Sequence, residues 1–479
     1  MKKTKIVATI SDQRCDVDFL RQLIGAGVNV VRLNTAHMDA KGFERVIGNV
    51  REVSNKVGIL MDTKGPEVRT TLSEEPIKLT TGMPIRIGSD PSVASTETKL
   101  NVSYAGFFDD ITPGAKVLID DGEIQLRVES KDFETRELVC TALNDAVLGS
   151  RKSVNVPGLR INLPSLTERD RTNILYAIEH GVDFIAHSFV RNRQDVQDIQ
   201  EILDEHDSKI RIIAKIENQE GVDHVDEILD VAYGVMVARG DLGIEVPYER
   251  IPAIQRMLIR KCIERKRPVI VATQMLHSMI KNPLPTRAEV TDVASAIYYR
   301  TDAVMLSGET AYGKYPVEAV RTMKRIIVEA EKSQAEANED RVNFKDEDTN
   351  VTSFLAKQAV KSIKKLGVTA IVTDSYTGRT ARNLAAFRGS VPVFAVCYTE
   401  ELIRGLSLCY GVFTEYQPLE NKRNGVMQVD FTRALENLIE RGLIAPNDRI
   451  AHMSGLMDVH GSTTSLEIDT VEKILKRHN

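Results

Sequence analysis

The sequence predicts an α/β protein: a closed (β/α)8, or TIM, barrel, a small all-β domain inserted after its third strand, and a separate α/β domain toward the C-terminal end. Three observations carry this. Eight short apolar runs rich in β-branched residues recur up to Leu306, each followed by a helical stretch. Neighbouring runs start about 20–35 residues apart, but about 120 residues separate the third from the fourth. A polar, acidic segment, 331–348, precedes a fresh β/α alternation.

The eight runs are Lys5–Ile10, Val30–Leu33, Gly58–Met61, Asp183–Ala186, Arg211–Ala214, Gly234–Ala238, Pro268–Ala272 and Ala303–Leu306. Their apolar character is continuous rather than alternating, which marks strands buried on both faces in a parallel sheet under helices. Segments such as Asp16–Gly25, Gln194–His206 and Pro252–Arg265 supply the helices. Eight β-then-α units favour a closed barrel over a doubly wound open sheet. The excess between the third and fourth runs carries six short β signals: Ile77–Leu79, Ile85–Ile87, Lys99–Val102, Lys116–Ile119, Ile124–Val128 and Glu137–Thr141. Asp121-Gly122 is a hairpin dipeptide between two of them. The barrel is expected to resume at Ser165–Glu168, a capping-box spacing. Beyond the acidic segment come a helix at Phe354–Leu366, a strand at Ala370–Thr373, a helix at Thr380–Phe387 and a strand at Val393–Val396. A helix at Phe431–Arg441 and strands at Arg449–His452 and Ser465–Val471 complete the unit. The expected boundaries are 1–65 and 164–335 for the barrel, 66–163 for a β-barrel-like lid and 336–479 for the last domain.

Composition narrows the function. Net charge is −5, from 63 basic and 68 acidic residues, so no basic excess exists to meet nucleic acid. Apolar stretches fall far short of the ~20 residues that span a bilayer. The opening MKKTKIVATISD stops being apolar at Asp12 and reads as a strand, not a leader. Cys15, Cys140, Cys262, Cys397 and Cys409 form no C-x-x-C pair, which fits a reducing, cytoplasmic setting.

In such a barrel the active site lies at the C-terminal ends of the strands. Those ends collect Ser11; Arg32, Asn34 and His37; Asp62, Lys64 and Arg69; Ser188 and Arg191; Lys215 and Glu217; Arg239 and Asp241; Thr273 and Gln274; Ser307 and Glu309. Gathering so many charges is costly unless pairing, a metal or a charged ligand offsets it. Lys215 and Glu217 alternate along one strand and point the same way. Asp241 ends the next strand, so Glu217 and Asp241 make a ready site for Mg2+ or Mn2+. Lys215 is then a fixed cation for charge developing on a transferred group. For that pair alone an internal ion pair is the simpler reading, and the surrounding rim reverses it. Arg32 and Lys64 suit an anionic substrate. Gly240 and Gly243 flank Asp241 and allow backbone N–H groups close to an anion, or simply a tight turn. Gly308–Tyr315 nearly spells a P-loop, but Tyr315 stands where a hydroxyl residue is required. In the last domain, Thr373–Thr380 (TDSYTGRT) leads from strand to helix and Gly461–Ser465 (GSTTS) is a second hydroxyl loop, each an anion site or ordinary capping.

Six segments together resemble the pyruvate kinase family: VVRLNTAH (30–37), MDTKGPEVRT (61–70), IIAKIENQEGV (212–222), VMVARGDLGIE (235–245), VATQML (271–276) and MLSGETAYGKYPVEAV (305–320). The resemblance covers essentially the whole chain, and the run around Lys215 and Glu217 is its most specific part. It implies transfer of the phosphoryl group of phosphoenolpyruvate to ADP, giving pyruvate and ATP. It implies that Glu217 and Asp241 hold Mg2+ or Mn2+, that Lys215 stabilises the phosphoryl group, and that Arg32 contacts the substrate phosphate. Gly240, Asp241 and Thr273 would receive the substrate carboxylate; Asn34, His37, Arg69 and Lys152 would contact the nucleotide. The enolate would be protonated by a water near Thr273 or Ser307. For K+, Asn34, Asp62 and Thr63 match the family's site, and Glu67 is the residue type that accompanies K+ dependence. Ala36 stands where the family usually has a serine ligand, so K+ dependence with weakened affinity is expected. The family also implies a homotetramer and a sugar-phosphate effector at Thr373–Thr380 and Gly461–Ser465. Asp374 and the extra length of that first loop argue against fructose 1,6-bisphosphate. Two rivals remain at this stage. A metal-dependent lyase on the same barrel leaves Lys152, Arg69 and the insert without a task. A non-catalytic metabolite sensor leaves Lys215, Glu217 and Asp241 unexplained.

Overall fold

A computed structural model describes residues 1–479 except 37, 337–349, 419, 422–426, 429–430, 456–462 and 479. His37, and Gly461 and Ser462 of the Gly461–Ser465 loop, therefore lie outside the described residues.

Eight parallel strands close into a barrel: Lys5–Ile10, Val30–Asn34, Gly58–Asp62, Phe184–His187, Arg211–Ile216, Gly234–Ala238, Val269–Ala272 and Ala303–Leu306. Each pairs with its neighbours in sequence order, and the first pairs with the eighth through Lys5↔Ala303 to Ala8↔Leu306. The continuous apolar runs have the expected cause. Alternate residues serve two cores: Ile6, Ala8, Val31 and Val235 face the helices, while Val7, Val30, Leu60, Phe184, Ile213, Met236, Ile270 and Met305 fill the barrel. Burying one such side chain is worth about 1.5–3 kcal/mol. Leu60→Ala, in the middle of that interior, costs about 2–5 kcal/mol.

The insert is a seven-stranded sheet plus a two-stranded one, and an isolated Thr70↔Val102 bridge joins its two edge regions. It is β throughout except for one helical turn, Phe107–Asp110, whose Phe107 and Phe108 enter its core. Three short strands, Val68–Arg69, Ala146–Leu148 and Ser153–Asn155, add to the six expected. They hold only two or three residues each, too few for a pattern to register. The box that reopens the barrel also differs from expectation. Thr167 and Asp170 make it, and the helix Glu168–Glu179 starts behind Thr167 rather than at Ser165.

Among the described residues the C-terminal unit has a five-stranded sheet, four strands parallel and the last antiparallel, and a two-stranded ribbon, Glu420–Asn421 with Met427–Gln428. Helices cover both faces, giving two cores. The unit docks on the N-terminal ends of the barrel strands. Leu408 joins the apolar barrel interior. Arg388 forks onto Asp302, with Nη1–Oδ1 at 3.0 Å and Nη2–Oδ2 at 2.5 Å, and Arg404 Nε lies 2.7 Å from Asp183 Oδ1. Both aspartates immediately precede barrel strands, so the opposite barrel end stays open. All five cysteines are buried and unbridged.

Candidate active site

The alternation that places Val30, Leu60, Ala186, Ile213 and Met305 inside the barrel continues two residues on to Arg32, Asp62, Ser188, Lys215 and Ser307. The reactive layer is thus the top storey of the packed interior. Arg32 reaches Asp62 Oδ2 with both Nε, at 2.8 Å, and Nη2. Lys215 Nζ lies 2.7 Å from Ser188 Oγ, 2.9 Å from Glu217 Oε1 and 3.2 Å from Asp62 Oδ1. Ser188 passes its own proton to the Thr63 carbonyl at 2.7 Å. Glu217, Asp62, Ser188 and Thr63 are buried.

Protonation follows from these contacts. Burial opposes charge on Asp62, but Arg32 and Lys215 outweigh it and hold its carboxyl below the ordinary range. Burial likewise opposes the Lys215 ammonium, and Asp62 and Glu217 overcome it, so its pKa is raised. Glu217 goes the other way. Burial, with Asp241 adding to it and Lys215 only partly countering, pushes it up to about 7. Its Oε2 accepts the Phe189 N–H at 2.7 Å, while Oε1 has no aligned hydrogen bond despite the nearby ammonium. A buried carboxylate that pairs with the Lys215 ammonium, 2.9 Å from Oε1, and feels a second carboxylate has the chemistry of a divalent-ion ligand, so Glu217 and Asp241 fit Mg2+.

The K+ residues fit less completely. Asp62 is occupied by Arg32 and Lys215. The Thr63 hydroxyl takes the Ser188 N–H at 3.0 Å, and Asn34 Oδ1 takes the Ala36 N–H at 3.1 Å. Ala36 adds no oxygen of its own side chain.

Thr273 and Gln274 follow the seventh strand with φ of +67° and +54°, two successive non-glycine residues in the left-handed region. Such strain persists only where neighbours impose it. Arg239 does so: its Nη1 grips both Asp292 oxygens at 2.7 Å and its Nη2 donates to the Thr273 carbonyl at 2.6 Å. Arg239 therefore braces the site from outside. The Gly240 N–H, read from sequence as able to meet an anion or as part of a tight strand-to-helix turn, donates to Thr273 Oγ1 at 2.8 Å. Arg239–Glu245 is a short helix directly after the strand Gly234–Ala238, which is the tight turn of that reading.

Above this layer a cleft of about 750 Å³ opens between insert and barrel, lined by Glu67, Arg69, Asp120 and Lys152 on one side and Asp241 and Glu245 on the other. Arg69 Nε pairs with Glu67 at 2.7 Å, and Lys152 Nζ with Asp120 at 2.7 Å. Asn155 Nδ2 donates to Glu245 Oε1 at 3.2 Å, linking insert to barrel. Asp241 belongs to both cleft and charged layer. The arrangement joins Lys215, Glu217, Asp62 and Arg32 directly and sets Arg69 and Lys152 across the cleft from Asp241. Ser188, noted in the sequence only as a strand-end residue, is the hinge of the Lys215 contacts; the signal for it was the two-residue alternation from Ala186.

In the last domain the two hydroxyl loops meet: Thr380 Oγ1 and Thr463 Oγ1 are 2.6 Å apart. The helix Arg379–Ala386 starts behind Gly378, whose φ is +78°, with no side-chain cap.

Comparison with known proteins agrees with this geometry. Residues 1–320 match the family model for the pyruvate kinase barrel domain and 354–468 that for the pyruvate kinase alpha/beta domain. A pyruvate kinase of Borreliella burgdorferi is 45% identical across 100% of this chain and 99% of its own. That of Geobacillus stearothermophilus is 44% identical across 99% of this chain and 81% of its own. The crystal structure of a pyruvate kinase from Cryptosporidium parvum superposes with a TM-score of 0.89 at 35% identity, covering 98% of this chain and 96% of that one.

Proposed function

This chain belongs to the pyruvate kinase family and transfers the phosphoryl group of phosphoenolpyruvate to ADP, giving pyruvate and ATP; on that premise we propose how its residues divide the work. Lys215 stabilises the phosphoryl group in flight. Its ammonium is raised in pKa and aimed by Ser188, Asp62 and Glu217, so it stays charged at working pH. Arg32 holds the substrate phosphate, exchanging part of its grip on Asp62 for that ligand. Gly240, Asp241 and Thr273 receive the substrate carboxylate end. Asn34, His37, Arg69 and Lys152 take the nucleotide, the last two from the lid side of the cleft. Glu217 and Asp241 hold Mg2+ or Mn2+, which when bound supplies neutralising charge to the phosphoryl oxygens.

Phosphoryl transfer asks for positioning and charge rather than covalent help, and that is what this layer offers. Closure of the insert, 66–163, over the barrel, 1–65 and 164–335, excludes water that would hydrolyse the phosphoryl group. A water on the Thr273 and Ser307 side protonates the enolate; the buried Ser307 Oγ has no hydrogen-bond partner of its own. K+ is required but binds weakly at Asn34, Asp62 and Thr63, because Ala36 contributes no hydroxyl. The domain 336–479 takes a sugar phosphate where Thr380 meets Thr463, and the protein works as a cytoplasmic homotetramer.

The observation that carries this reading is the buried Glu217 carboxyl, ion-paired with Lys215 at 2.9 Å and pushed up to about 7 by burial with Asp241 adding to it. The test is pyruvate formation from phosphoenolpyruvate, read by coupled NADH oxidation, with ADP, Mg2+ and K+ withheld in turn. Turnover is expected to require ADP and Mg2+ absolutely. Replacing K+ by tetramethylammonium should lower it; equal rates in both would remove the K+ assignment. Pyruvate formed without ADP would favour a lyase or phosphatase.

A further inference from the structure

Among the described residues one group of three metal-ligating side chains lies close together, and it is far from the barrel mouth. A ring nitrogen of His452, a carboxylate oxygen of Glu467 and a ring nitrogen of His478 are all within 4.8 Å of one another. We propose that these three residues form a second metal site, suited to a late transition ion such as Zn2+, that fastens the final helix to the C-terminal sheet.

The three ligands come from three elements. His452 sits on the strand Arg449–Gly455 and Glu467 on the antiparallel strand Thr463–Thr470, directly opposite in register. Cross-strand partners share a face, so this pair is fixed by the backbone. His478 ends the helix Val471–His478 and brings Nε2 to 3.1 Å from Glu467 Oε2. Ligand atoms around a tetrahedral ion with bonds of ~2.1 Å stand roughly 3.4 Å apart; the Glu467–His478 pair already stands at 3.1 Å, and no pair exceeds 4.8 Å.

His452 supplies the independent sign of a ligand. The residue is 3% exposed, its ring stacks on Phe431 at 3.7 Å between centroids, and its Nε2 has no hydrogen-bond partner. Buried imidazole nitrogens are normally satisfied. Asp374 Oδ2 is 3.5 Å from that nitrogen, and Tyr398 holds Asp374 through a 2.8 Å bond to Oδ1. If Nδ1 takes the ion, Asp374 orients the ring from behind, as carboxylates do for metal-bound histidines. If Nε2 takes it, Asp374 stands next to the coordination sphere. The opposing charge is Arg477, which bonds Glu467 Oε1 and Asp469 Oδ2 at 2.5 Å each, and Lys473 near Asp469 at 3.5 Å. Arg477 leaves Glu467 Oε2 to His478 and neutralises Asp469, so one carboxylate oxygen remains for the ion.

Two imidazoles and one carboxylate select against Mg2+, which prefers oxygen, and in favour of Zn2+, Ni2+ or Co2+. The site therefore stays distinguishable from the catalytic one. The experiment uses the full chain in excess Mg2+ and titrates Zn2+ by calorimetry and Co2+ by visible absorption. Expected are one Zn2+ per chain that Mg2+ does not displace, a tetrahedral Co2+ band, and a raised melting temperature. His478→Ala changes a 40%-exposed side chain and is expected to fold, keep its basal turnover and lose at least tenfold in Zn2+ affinity. His452→Gln should lose the Co2+ band. Glu217→Gln should keep Zn2+ binding while losing turnover, which separates this site from the catalytic reading. Zn2+ uptake that Mg2+ abolishes, or an affinity unchanged in His478→Ala, would overturn the proposal.

Discussion

Two sheets of mainly parallel strands in this molecule end in the same topological place and offer different chemistry there. Behind the barrel strands stand Arg32, Asp62, Lys215 and Glu217, charged side chains linked by short ion pairs, with Asp241 close enough to shift their protonation. At the C-terminal strands stand Thr373, bonded to the backbone, Thr380 and Thr463, bonded to each other, and Ser375, whose buried hydroxyl has no partner. Strand ends offer a ligand site in both cases. What differs is the cost of the empty state. The hydroxyls are neutral whether partnered or not, whereas the barrel mouth buries ionisable groups together and pushes the Glu217 carboxyl up to about 7. Such perturbed electrostatics mark the half of the molecule where charge is handled.

If that contrast is real, removing a charge at the barrel mouth must cost far more than any change to its framing residues. Glu217→Gln should have the largest effect short of Lys215: Mg2+ affinity falls by at least about 100-fold and turnover collapses, while the fold stands, since a neutral amide relieves a buried carboxylate. Equilibrium dialysis and the coupled assay read both. Next comes pH. Because the folded pKa of Glu217 is about 7, Mg2+ binding should weaken about tenfold per unit below pH 7 and release a proton as it forms. In the metal-free protein the sign reverses. A raised carboxyl contributes stability that is present at acid pH, below the ordinary carboxylate range, and is lost as pH rises through about 7. Melting curves with and without Mg2+ across pH 5–8 would show the crossover.

Smaller effects test the framing. Arg239→Met frees the Thr273 carbonyl and the strained turn it holds, and should lower kcat about 10–100-fold by misplacing Thr273. A pure stability loss with unchanged kcat would make Arg239 only structural. Ala36→Ser restores one oxygen beside Asn34 and should lower the K+ half-saturation several-fold, worth about 1 kcal/mol, with little change in kcat at saturating K+.

The same contrast explains how much was legible beforehand. The barrel strands were readable because burial on both faces demands unbroken runs such as Val235–Ala238, and the charged residues because their positions follow from where those runs stop. The Lys215–Asp62 contact joins side chains 153 positions apart on strands that flank the strand Phe184–His187; only that shared pairing brings them together. Ser188 was overlooked as a partner because a hydroxyl after an apolar run looks like any strand end. The Thr167–Asp170 box was displaced to Ser165–Glu168 because both spacings satisfy the same pattern, and the side-chain bonds decide between them. Gly240 was read by its missing Cβ, yet its N–H is already taken by Thr273. In the last domain the helix Val471–His478 and the strand Val412–Tyr416 escaped notice, the first because its apolar stripe is only Val471, Ile474 and Leu475, the second because only Val412 of it is fully buried.

The most direct measurement is turnover and Mg2+ binding side by side in Lys215→Met. The account predicts that the variant binds Mg2+ at Glu217 and Asp241 yet forms no pyruvate above background, a loss of at least about 10³-fold. Preserved turnover with intact Mg2+ binding would contradict the role given to Lys215 and, with it, the claim that this buried layer carries the transfer.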